Sequence, residues 1–185
     1  MSEAMRIKMC AHLRAMGVDA QLAPRGRPEE DGLWPELQQS LGLIDIEERS
    51  IHWAHVLKDM QGRSGPLYSV DYGVPDPRNL PRLMVVAVRV KTFPLFGRVI
   101  NIRWKVSQGG NCAKGIAQNL TDDKAVETAI IDTFRFGEEL FVAADPERGY
   151  WKICTTWGDP LKPSPEQWAC YERIAARLLA TPISV

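Results

Sequence analysis

The chain has no pair of cysteines two residues apart, no excess of either charge, and no apolar run near the roughly 18 residues a membrane span requires. Each absence excludes something. Cys10, Cys112, Cys154 and Cys170 are scattered, so neither a disulfide framework nor a CxxC metal knuckle is expected. Thiols dispersed in this way fit a reduced, cytoplasmic setting in which they act as small buried hydrophobes. The opening MSEAMRIKMCAHL mixes acid and base through its apolar positions, which argues against a secretory leader. Because 23 basic residues balance 23 acidic ones, no global field draws the protein onto nucleic acid or an anionic membrane. Electrostatic recognition therefore has to be local.

What is present suffices for one self-standing domain over residues 1–185. A chain of 185 residues with 45% hydrophobic content buries roughly 70% of its unfolded surface. There is no internal repeat and no low-complexity tract. Met5, Ile7, Leu13 and Met16 mark the apolar stripe of a first helix, which Gly17 closes in the left-handed conformation. Val18, Ala20 and Leu22 alternate as a short strand, and Pro24 to Gly32 has the composition of an exposed, mobile loop. Pro35 suits the first turn of a short helix, PELQQSL, closed by Gly42. Ile44, Ile46, Ile51, Trp53, His55 and Leu57 keep a period of two, predicting a hairpin that turns at Glu48 and Arg49, although Trp53, Leu57 and Met60 within segment 43–60 also fit helical spacing. Leu67 to Tyr72 reads as a strand, and Val74 to Pro81, with three prolines, as an extended connection.

The clearest pattern is VVAVRVKTFPLFGRVINIRWK, Val85 to Lys105. Val86, Val88 and Val90 alternate with Ala87, Arg89 and Lys91, and Ile100, Ile102, Trp104 and Val106 alternate with Asn101, Arg103 and Lys105. The expected hairpin buries its apolar side chains on one face and gathers the cations on the other. Its turn, TFPLFG, puts Phe93, Leu95 and Phe96 at an exposed tip flanked by Lys91 and Arg98. Pro77 to Thr121 contains no acid and eight lysines and arginines, whereas Asp122 to Glu147 contains eight acids and two bases. Thr121 is the expected cap of a helix with Asp122 and Asp123 in its first turn and a buried stripe of Val126, Ala129, Ile130 and Phe134. Leu140 to Trp157 reads as a hairpin turning at DPERG. SPEQ, Ser164 to Gln167, is a capping box that opens a C-terminal helix in which Trp168, Tyr171, Ile174 or Ala175, and Leu178 recur at three and four. The expected fold class is α+β: a mostly antiparallel sheet built of hairpins, with N-terminal, middle and C-terminal helices packed on one face.

The chemistry-bearing candidates are thinner. CAH and HWAH supply Cys10, His12, His52 and His55, but residues three apart on a strand point to opposite faces, so no metal site is expected. A PD-(D/E)xK nuclease would draw on Asp71 or Asp76 with Lys91; here Arg89 stands where the second metal-binding carboxylate must be. GGNCAKG lacks the spacing of a phosphate loop and reads as a flexible turn before the next helix. Its Cys112 has no histidine near it in sequence to act as a base. No cofactor motif and no enzyme signature emerge.

The expectation is a non-enzymatic protein that engages an anionic partner, nucleic acid or acidic protein. Arg89, Lys91, Arg98, Arg103 and Lys105 would supply the charge, and Phe93 and Phe96 the apolar tip. The bland reading pairs those cations with Glu138 or Glu139 on a neighbouring strand. The rivals are a metal-dependent hydrolase built on Asp71 or Asp76 and Lys91, and a subunit that self-associates through an edge strand or the C-terminal helix.

Overall fold

The computed structural model describes residues 3–31, 36–47, 49–60, 67–92, 99–131 and 138–183. In chain order the elements are α1 (Glu3–Ala15), β1 (Ala20–Leu22), a short 3-10 turn (Pro28–Glu30), β2 (Gln38–Ile46), β3 (Trp53–Asp59), β4 (Tyr68–Pro75), β5 (Met84–Lys91) and β6 (Val99–Gln108). They continue through α2 (Asn111–Asp122), α3 (Lys124–Ile131), β7 (Leu140–Asp145), β8 (Tyr150–Thr155) and α4 (Pro165–Ala180). All eight strands form one antiparallel sheet in the spatial order β1-β2-β3-β4-β8-β7-β5-β6. This is the expected α+β architecture, with its centre made by β4 and β8, which are far apart in sequence.

Two neighbouring rows of side chains define the sheet's faces, because residues directly opposite each other in an antiparallel pair share a face. Ile44, Ala54, Tyr72, Ile153, Val142, Val85 and Val106 form one row. The helices pack on this side. Met9 and Leu13 of α1, Ile116 and Leu120 of α2, Val126 and Ile130 of α3, and Trp168, Tyr171 and Leu178 of α4 join it in one continuous core. Trp104, Trp151 and Trp157 fill the same layer. Each large apolar side chain buried there contributes roughly 1.5–3 kcal/mol over its exposed state. The other row runs Leu43, His55, Asp71, Cys154, Phe141, Val86 and Lys105. A second, small apolar cluster of Ala23, Leu43, Trp53 and Tyr150 lies on that side.

Gly73 on β4 is required by a close approach: a Cβ there would stand 1.8 Å from Cε2 of Trp53. Local signals fixed several elements as expected. Gly17 has φ +82° after α1, and the hairpins β2–β3 and β7–β8 form. Ser164 and Gln167 make the reciprocal capping box of α4.

Four expectations are corrected. The residues read as a helix ending at Gly42 belong largely to β2, where Gly42 has φ +105° beside a register shift and makes room for Arg6 and Arg25. A bulge and a helix end both call for a left-handed glycine, and the strand pairing decides. The stretch after Pro24 is exposed as expected but tied to β2, since Arg25 donates to the Leu41 carbonyl at 3.0 Å and Arg27 pairs with Asp45. GGNCAKG is not a flexible turn beyond Gly110, because α2 begins at Asn111. The cap of α3 is Asp123, whose Oδ1 accepts from the Ala125 and Val126 amides at 3.1 and 3.3 Å. Thr121 stays inside α2 and donates to the Ala117 carbonyl at 2.7 Å.

Both edges of the sheet are partly closed by helices. On the outer side of β1, the Ala20 carbonyl accepts from Arg14 Nε and, at 3.6 Å, from Cys10 Sγ of α1. At the other edge, the Trp104 amide of β6 donates to Thr121 Oγ1 of α2 at 3.0 Å. Capped groups of this kind blunt an edge strand as a template for another chain.

Candidate functional site

The β5–β6 register decides what the basic hairpin can do. Val86 is opposite Lys105, Val88 opposite Arg103 and Val90 opposite Asn101, while Ala87 is opposite Trp104 and Arg89 opposite Ile102. The expected single basic face is therefore divided. Arg103 and Lys105 lie exposed on the helix-free face beside half-buried Val86, Val88 and Val90. Arg89 and Lys91, both half-buried, fall on the other side, where Lys91 is opposite Val99. Register shifts at both ends of the hairpin leave β6 with more residues than β5. The tip residues Phe93, Leu95 and Phe96, together with Arg98, lie outside the described residues.

Among the described residues neither Arg103 nor Lys105 pairs with Glu138 or Glu139; Glu138 Oε1 accepts from the Gly158 amide at 3.0 Å. Arg103 and Lys105 form no ion pair with any described residue. The result is a ledge of three valines with two cations along its outer side.

Comparison with protein families, curated proteins and solved structures finds none that matches this chain.

Towards the middle of the sheet the same face changes character. His55, Asp71 and Cys154 stand side by side on β3, β4 and β8, and Lys152 is two residues from Cys154 on the same face. All four are buried. Burial, with the nearby charges of Lys152 and Arg25, pushes His55 down to about 3, and its Nε2 lies 2.9 Å from Ser40 Oγ. The imidazole is neutral at physiological pH. Burial raises Asp71 to about 6 against the opposing pull of Lys152 and of a hydrogen bond from Cys154. The Cys154 thiol is held well above its ordinary range, first by burial and then by Asp71. A thiol in that state is not a nucleophile. Sequence reasoning missed this row because its members come from three separate strands; the available signal was a single ionisable residue inside each otherwise apolar run.

The other candidates are not assembled. Cys10 belongs to the helix-side core, His12 Nε2 lies 2.9 Å from the Pro163 carbonyl oxygen, His52 is exposed and His55 is on the opposite face. Among the described residues no group of three or more such ligands is placed to hold a metal. Asp71 on β4 and Lys91 at the end of β5 are separated by β8 and β7, roughly 14 Å at ordinary strand spacing. Asp76 is committed elsewhere, to Arg78 and to the Trp151 indole at 2.8 Å. No helix among the described residues is long and apolar enough to cross a membrane.

Proposed function

We propose that the protein is a cytoplasmic binding protein that holds an acidic polypeptide segment on the helix-free face of β5–β6. The observation that carries this reading is the pair Arg103 and Lys105, exposed beside half-buried Val86, Val88 and Val90 and in no ion pair with a described residue. Two residues apart on a strand, these cations are about 7 Å from each other, a spacing that alternate carboxylates of an extended segment match. The valines favour a polypeptide over a nucleic acid. They offer apolar area for aliphatic side chains but no ring on which a base could stack.

The test uses two double variants on opposite faces, Arg103→Gln with Lys105→Gln, and Arg89→Gln with Lys91→Gln. A labelled peptide alternating glutamate and leucine, and a single-stranded oligonucleotide, are titrated by fluorescence anisotropy at low and high salt. Peptide binding that weakens at least tenfold in the first variant and little in the second supports the proposal. Equal loss in both variants, or preferential binding of the oligonucleotide, refutes it.

A further inference from the structure

Beside the turn between β7 and β8, on the same helix-free face, is a cavity of about 340 Å³, within the usual size of small-molecule sites. Ala143 contributes to its floor, and Arg82, Arg148 and Lys152 line it together with Asp145 and Glu147. Lys152 is only 1% exposed. Its Nζ donates to the Asp31 carbonyl at 3.0 Å and stands 4.0 Å from Asp145 Oδ2, beyond hydrogen-bonding distance. An ammonium has three donors. A buried one with a single good acceptor among the described residues is costly unless something else accepts from it.

The two carboxylates of the cavity are already engaged. Glu147 pairs with Arg82 at 3.2 Å, Asp145 pairs with Arg148 at 3.2 Å, and Arg148 also reaches Asp31 at 2.7 Å. With Asp31 counted, three cations meet three carboxylates; the most buried cation, Lys152, has no carboxylate oxygen nearer than 4.0 Å and otherwise stands over the Tyr150 ring, 5.5 Å from its centroid. Behind it on the same face come Cys154, two residues along β8, then Asp71 opposite it on β4 and His55 on β3.

We propose that this cavity is a binding site for a small oxyanion, a carboxylate or phosphoryl group, anchored by Lys152 at its buried end and flanked by Arg82 and Arg148. The anion accepts the Lys152 hydrogen bonds that have no acceptor among the described residues. This site is independent of the peptide-binding ledge, so either can fail without the other.

Thermal unfolding of the full chain tests it, with inorganic phosphate in one arm, succinate in another, and sodium chloride at matched ionic strength as reference. At a concentration about one hundredfold above half-saturation, either anion is expected to raise Tm by about 5 °C or more over chloride. A response to phosphate alone identifies a phosphoryl ligand, and a response to succinate alone a carboxylate. Lys152→Met should abolish the shift. If that variant does not fold, Arg82→Gln at the exposed rim should raise the half-saturating concentration at least threefold. No shift beyond chloride in either arm overturns the proposal, as does an unchanged half-saturation in whichever variant folds.

Discussion

Replacing Asp71 by asparagine should stabilise the protein at neutral pH and leave it unchanged in acid. Asp71 titrates near 6 in the fold because burial opposes its ionisation, against an ordinary value of 3.8. That gap of about two units corresponds to about 3 kcal/mol, which the native state loses as pH rises from about 4 through 6 and the carboxyl ionises. His55 has the opposite slope. Its pKa is near 3 rather than 6.5, so the unfolded chain takes up a proton that the native state refuses, and stability falls by about 1.4 kcal/mol per unit as pH drops from about 6 to 4. In the wild type the two slopes nearly cancel across this interval. In Asp71→Asn the histidine slope stands alone. Urea unfolding, followed through the fluorescence of the six tryptophans, measures both proteins from pH 4 to 7. The variant-minus-wild-type stability should rise from about zero at pH 4 to about 3 kcal/mol at pH 7, with an unchanged m-value. A difference independent of pH, or a variant weaker at pH 7, would refute the account of a buried, strained carboxylate.

Two further substitutions probe the packing. Gly73→Ala drives a methyl into the Trp53 ring and should cost about 3 kcal/mol or more, read as a fall in Tm with a changed near-ultraviolet dichroism from the displaced indole. At Asp123, burial is outweighed by Arg173, Arg177 and the backbone amides at the start of α3, which hold the carboxylate at about 2. Asp123→Ala removes the cap and both guanidinium contacts and should cost about 2–3 kcal/mol at pH 7. Its deficit should shrink as pH falls from 3.8 towards 2, where the wild-type carboxylate takes up its proton; a deficit that stays constant there would count against the ionic contribution.

The elements legible from sequence are those whose determinants lie within a few residues of one another. Ser164 and Gln167 satisfy each other across one helical turn, so the start of α4 can be read without knowing what it packs on. Thr121 and Asp123 are both competent caps, and the choice follows from α2 running on through Asp122 while Thr121 serves the β6 edge. The faces of β5 were less legible because Met84 to Val88 is apolar on both sides. Only its pairing with β6 and β7 assigns Val85 and Ala87 to the core and Val86 and Val88 to the ledge. The buried row of His55, Asp71 and Cys154 depends on β4 lying between β3 and β8, a topological fact that no window of sequence contains.

The placement of β8 against β4 also sets an order on how the chain can mature. During synthesis β4 emerges with β3 already beside it, but its other edge, Tyr68–Pro75, stays unpaired until Tyr150–Thr155 has left the ribosome. Arg78, next to that edge, finds the Thr181 carbonyl only 103 residues later. The nascent chain therefore carries an open strand edge, with its backbone N–H and C=O groups unpaired, through more than a third of its own translation. This is the interval in which trapping by other chains competes with folding, and in which a holdase would have its target.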